Sequence, residues 1–197
     1  VLSACSLVPP GSSGNVLLAE SFDRSTSLEQ YEKTTGGAGI AAGEFALQVF
    51  EPNFMQWSLV KSSFGDTVIE VQAHKAAGPD DNFYGVICRY QDDNNFYFLG
   101  VASDGYYGIG SMVKGERSLL GGNVLQPTQV VKGGTSVNHL RVVCNGSTLT
   151  LEVNGQNLKS VQDQSLTQGR AGVFAGDFAE SGLEVLYDNL LITQAVP

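Results

Sequence analysis

Apolar and polar side chains alternate with a period of two along nearly the whole chain, and no window carries a period near 3.6. Runs of strand character cover residues 16–22, 45–50, 54–60, 67–73, 83–91, 96–102, 106–113, 138–144, 148–153, 156–161, 171–175 and 183–192. Between them stand Asp104-Gly105, Gly121-Gly122, Asn145-Gly146 and Asn154-Gly155. Such dipeptides tolerate the positive φ that tight hairpin turns require. Many short strands joined by hairpins in one domain predict an all-β fold, a two-sheet antiparallel β-sandwich or jelly roll.

The turns also predict registers. A two-residue loop at Asn145-Gly146 sets Cys144 opposite Ser147, Val142 opposite Leu149 and Leu140 opposite Leu151. A loop at Asn154-Gly155 sets Val153 opposite Gln156 and Leu151 opposite Leu158. Cys144 then shares a core-facing side with Val142 and Leu140, because a slip of one residue would turn the apolar set outward. In the central strands, pairing Tyr90 with Phe96 sets Cys88 opposite Phe98 and Arg89 opposite Tyr97. A two-residue Asp104-Gly105 turn sets Phe98 opposite Ser111 and Gly100 opposite Ile109. One face then gathers Val86, Cys88, Tyr90, Phe96, Phe98 and Ile109 as core. The other gathers Gly85, Ile87, Arg89, Tyr97, Leu99, Val101, Tyr106, Gly108, Gly110 and Met112. Glycines within strands mark close approach by another group. Arg89, Tyr97 and Tyr106, with Trp57 as a further stacking ring, are therefore the candidate ligand-binding residues. The alternative is that a loop or second layer covers this face.

The 197 residues are 42% hydrophobic and 16% charged, which suits one domain with a sizeable core. Residues 1–14 read as an N-terminal segment and linker, and 15–197 as a single sandwich domain. A net charge of -9 disfavours nucleic acid and anionic lipid surfaces as partners. No stretch approaches the ~20 apolar residues of a membrane helix. Two histidines and no Cys-x-x-Cys make a zinc site improbable. Of the three cysteines, Cys5 stands apart, leaving Cys88 and Cys144 as a pair that reads either as a disulfide or as two buried thiols.

The segment Leu2-Ser3-Ala4-Cys5 resembles the lipobox of bacterial lipoproteins. That resemblance implies lipidation of Cys5 and an extracytoplasmic, membrane-tethered chain, anchored only through that lipid. The stretches Asp81-Asn82-Phe83-Tyr84-Gly85-Val86-Ile87-Cys88-Arg89-Tyr90, Ser103-Asp104-Gly105-Tyr106-Tyr107-Gly108, Gly169-Arg170-Ala171-Gly172-Val173-Phe174-Ala175-Gly176 and Val185-Leu186-Tyr187-Asp188-Asn189-Leu190 resemble a second group. They are similar to bacterial, often lipoprotein, concanavalin A-like lectin/glucanase domains of the laminin-G-like and 3-keto-disaccharide-hydrolase-like branch. The resemblance implies two curved antiparallel sheets, and it implies function only weakly.

Glucanases on that fold carry a Glu-x-Asp-x-x-Glu strand, which this chain lacks, so no catalytic residues are assigned. His139 could serve as a base but has no visible nucleophile. Related sandwiches hold a calcium ion between first and last strands, which makes Asp23 and Asp188 candidate ligands; Asp188-Asn189 could equally cap a strand end. No other cofactor is expected. Asn145-Gly146-Ser147 fits a glycosylation pattern or simply a turn. The leading expectation is a non-catalytic, extracytoplasmic module binding a glycan or cell-surface polysaccharide. One alternative is a filament subunit that self-assembles by strand addition through residues 1–14. Another is a glycoside hydrolase acting on disaccharides.

Overall fold

The computed structural model describes residues 14–196. Sixteen strands follow one another in these residues: β1 (Val16–Glu20), β2 (Tyr31–Lys33), β3 (Gly36–Ala41), β4 (Glu44–Val49), β5 (Met55–Phe64), β6 (Thr67–Ala77), β7 (Asn82–Asp92) and β8 (Asn95–Val101), then β9 (Tyr106–Val113), β10 (Glu116–Leu119), β11 (Gln126–Pro127), β12 (Asn138–Asn145), β13 (Thr148–Val153), β14 (Gln156–Gln162), β15 (Gly169–Asp177) and β16 (Leu183–Gln194). They form two antiparallel sheets. The larger runs β14-β13-β12-β6-β16-β4-β3-β2, with β1 also pairing β16; the smaller runs β10-β9-β8-β7-β15-β5, with β11 pairing β9. This is the expected sandwich. Each run read from alternation became a strand, while β2, β3, β10 and β11 were not foreseen. β3 opens Gly36-Gly37-Ala38-Gly39, which has no apolar alternation to reveal it.

The inter-sheet core draws on both layers: Phe45, Leu47, Ile69, Val71, Leu140, Val142, Leu151 and Val185 from the larger sheet, and Tyr84, Val86, Tyr97, Leu99, Ile109 and Val173 from the smaller. At about 25 cal/mol per Å² of apolar area, burying each of these side chains contributes roughly 1.5–3 kcal/mol against the ordering entropy of the chain. Cys88 and Cys144 form a disulfide that ties β7 to β12 across this core. They lie 56 residues apart, so the chain-entropy model assigns the bridge roughly 4 kcal/mol.

The hairpins form where expected, but four registers differ. The β12–β13 loop is Gly146-Ser147, so Cys144 faces Leu149 and Val142 faces Leu151. Gly146, at φ 54°, takes the first central position of the turn. The shift is two residues, so every face is kept. Val153 does face Gln156, but a bulge then sets Leu151 opposite Lys159. The β8–β9 loop has three residues, 103–105, with Gly105 at φ 94°, so Phe98 faces Gly110 and Gly100 faces Gly108. That one-residue change turns β8 over relative to the expected register.

Candidate functional site

The fourth change decides where the site lies. Between β7 and β8 the register breaks after Cys88, which faces Tyr97. Arg89 stands at the break with φ 54°, so Cys88 faces the core while Tyr90 lies on the opposite face. Tyr97, Leu99 and Val101 consequently belong to the core, and Phe96, Phe98 and Tyr90 to the outer face of the smaller sheet. Gly85, Ile87, Gly108, Gly110 and Met112 are on the outer face, and Ile109 in the core, as expected.

Arg89 and Tyr97 are therefore not groove residues. Arg89 is 2% exposed. Its guanidinium donates to Asp66 at 2.9 Å and to the Leu166 carbonyl at 2.8 Å, and Nε has no partner. Asp66 also accepts from the Gly146 amide at 2.9 Å, so Arg89 fastens the β5–β6 turn, the β12–β13 turn and the segment before β15. Tyr97 is 0% exposed; its hydroxyl donates to Asp163 and accepts from the Leu166 amide at 3.0 Å. Burial, reinforced by the Asp163 carboxylate, pushes its pKa up to about 12. Both residues anchor a loop at the end of the sandwich. A sugar surface floored by that pair does not exist in this fold.

The other two candidates do reach the outer face. Trp57 is half-buried on β5, its ring 5.5 Å from Phe96 and 6.3 Å from Tyr90 between centroids. Tyr106, at the start of β9, is 39% exposed. Between them runs a second apolar cluster of Leu59, Phe83, Ile87, Phe96, Phe98 and Phe174. The glycines make room for it. A Cβ on Gly110 would run into the Phe98 ring, and one on Gly108 would stand 2.6 Å from Leu125 Cδ2. The face is thus partly roofed by the chain following β10, and open beyond that roof.

The opening is a pocket of about 420 Å³. Phe54, Phe83, Phe98 and Phe178 give it aromatic walls, with Met55, Leu119 and Leu125 beside them. Its polar lining is Asn53, Arg117, Ser118, Asn123 and Asp177. Asp177 ends β15 and is 4% exposed. Its Oδ1 accepts from the Phe54 amide at 3.3 Å; Oδ2 is buried with no hydrogen-bond partner. Burial pushes this carboxyl above the ordinary aspartate value. Apolar walls with a few convergent polar groups are the ordinary make-up of a small-molecule site.

None of these lining residues was singled out from the sequence, and Phe98 was placed in the core. A usable signal was present. The burial of Phe83–Arg89 and Phe96–Val101 is continuous rather than alternating, so both faces of the smaller sheet are covered. The matching trace in sequence is the run of aromatics at positions of both parities.

Among the described residues no three His, Cys, Asp or Glu converge as a metal cluster. The Asp23 carboxylate accepts from Ser21 Oγ at 2.8 Å, and that of Asp188 accepts from the Asn189 amide at 2.7 Å. The two carboxylates engage separate neighbours. His139 lies on the outer face of the larger sheet, its Nε2 3.5 Å from Glu70, remote in the fold from the aromatic pocket. Cys5 and residues 1–13 lie outside the described residues.

No protein-family model matches the chain, and neither does any curated protein. Among solved structures it is similar to the carbohydrate-binding module CBM66 from Bacillus subtilis, at 12% identity and TM-score 0.64 over 89% of this chain and 95% of that one. It is similar to a Bacillus subtilis protein of unknown function with a galectin-like fold, at 12% identity and TM-score 0.68 over 93% and 97%. It is also similar to a Bacillus licheniformis beta-glucanase, at 12% identity and TM-score 0.68 over 93% and 100%. At that identity the likeness establishes the fold, a jelly-roll sandwich found in glycan-binding and glycan-cleaving proteins alike.

Proposed function

We propose that this protein is a glycan-binding module whose site is the aromatic pocket on the outer face of the smaller sheet. The observation that carries the reading is the pocket itself: phenyl walls with a small set of polar side chains set among them. A sugar offers an apolar C–H face to such rings, while the Asp177 carboxyl, buried behind the pocket surface, holds the Phe54 amide at its edge. Arg117, Asn53 and Asn123 add donors for its ring and hydroxyl oxygens. The carbohydrate-binding module among the structural neighbours supports the same reading.

Binding without cleavage is the favoured form. Glycoside hydrolysis needs two positioned carboxyls, and among the described residues Asp177 is the one acid lining this pocket. The buried disulfide supports an oxidising, extracytoplasmic location. A lipid on Cys5 belongs to the same proposal, and the intact mass of native protein tests it.

A glycan array followed by calorimetry on the wild type, Phe98→Ala and Arg117→Ala tests the binding reading. Binding by the wild type that falls about tenfold or more in both variants supports it. An array without hits, or equal affinity in all three proteins, refutes it. Release of reducing ends from a bound oligosaccharide would turn the assignment to the hydrolase alternative.

A further inference from the structure

A second, shallower cavity of about 480 Å³ adjoins the first, and the two share Leu125 and Phe178 as their common wall. Its lining differs in character. Tyr106 and Val124 are exposed, and Asp81 and Asp104 carry its charge. Partial desolvation, opposed by a backbone hydrogen bond in its own turn and reinforced by the nearby Asp81 and Asp80 carboxylates, holds the Asp104 carboxyl above its ordinary value. Asp80 is neutralised by Lys75, but no described lysine or arginine lies within ion-pair distance of Asp81 or Asp104. Across both cavities the lining charges among the described residues are Asp81, Asp104 and Asp177 against Arg117 alone, and Arg117 lines the aromatic pocket. The second cavity therefore presents a ring face, uncompensated negative charge and no cation of its own.

We propose that the two cavities form one groove for an oligosaccharide containing a cationic amino sugar. This rests on the glycan-binding reading above and specifies its ligand. One sugar ring lies against the phenyl walls of the first pocket. The next stacks on Tyr106 and turns its ammonium toward Asp81 and Asp104. Ammonium-to-carboxylate hydrogen bonds are stronger than neutral ones, and a charged donor relieves the repulsion that the two acids now share. Acidic sugars are disfavoured by the same field.

Calorimetry at low ionic strength and about pH 5.5, where an amino sugar carries its proton, tests the assignment. The probes are a glucosamine trisaccharide, its fully N-acetylated counterpart and a uronic acid trisaccharide. The glucosamine trisaccharide is expected to bind about tenfold more tightly than the N-acetylated one, and the uronate least. In Asp81→Asn/Asp104→Asn, both at exposed positions, the tenfold preference for the glucosamine trisaccharide over its N-acetylated counterpart should vanish. Equal affinities in the wild type, a preference that survives the double variant, or tightest binding of the uronate each overturn the amino-sugar assignment and leave the glycan site standing. Absence of binding to all three probes, together with an array without hits, overturns both.

Discussion

Replacing Asp177 with asparagine separates stability from binding. In the native fold Oδ1 keeps one hydrogen bond from the Phe54 amide, and Oδ2 is sealed from solvent without a partner. An unsatisfied buried polar atom costs about 1–3 kcal/mol, more when charged. Asparagine keeps the shape and the Oδ1 bond but removes the charge, so the variant should be about 1 kcal/mol more stable at neutral pH. For a chain of this size that is roughly 2–4 °C in Tm. The sign follows from linkage. The native carboxyl titrates above its ordinary value, so the unfolded chain loses this proton first as pH rises. The penalty is absent below the ordinary aspartate range, develops above it, and is complete once pH passes the native pKa. Urea unfolding of both proteins, followed by the single tryptophan Trp57, should show a gain at about pH 7 that shrinks to nothing near pH 3. A less stable variant at neutral pH, or a gain independent of pH, would refute the claim that Asp177 carries an uncompensated cost. Weaker glycan binding in the more stable variant would be the mark of a residue kept for function.

The remaining expectations concern the frame around the site. Gly110→Ala should cost about 1–3 kcal/mol by overpacking against Phe98 and should weaken glycan binding by displacing that ring, read by thermal unfolding and calorimetry. Arg89→Ala should cost about 2–4 kcal/mol, since it strips charge-assisted bonds from Asp66 and the Leu166 carbonyl, while glycan affinity of the folded variant stays within twofold; a selective loss of affinity would return Arg89 to the site. Cys88→Ala/Cys144→Ala should lose roughly 4 kcal/mol in denaturant, and reductant should then have no further effect on the variant.

The sequence by itself determined twelve of the sixteen described strands, the hairpins and the sandwich; it offered Cys88 and Cys144 as a pair, and the structure made them a disulfide. Those follow from local rules: alternation with period two, and turn residues that accept positive φ. Only the tertiary structure decided which side of the smaller sheet faces the core. The cause is parity. One irregularity at Arg89 and one extra residue in the 103–105 loop exchange the faces of Tyr97 and Phe98. Sequence penalises such a slip when one face is polar, as at Leu140, Val142 and Cys144, where the faces came out right. It carries no penalty where both faces are apolar, as at Phe96-Tyr97-Phe98-Leu99, because either assignment buries the same kind of surface. The pocket sits on that undetermined side. Its walls come from β5 and the residues before it, β7, β8, β10 and the loop after it, and the end of β15 with Phe178, residues that no local pattern joins and that only the packed sheets bring together.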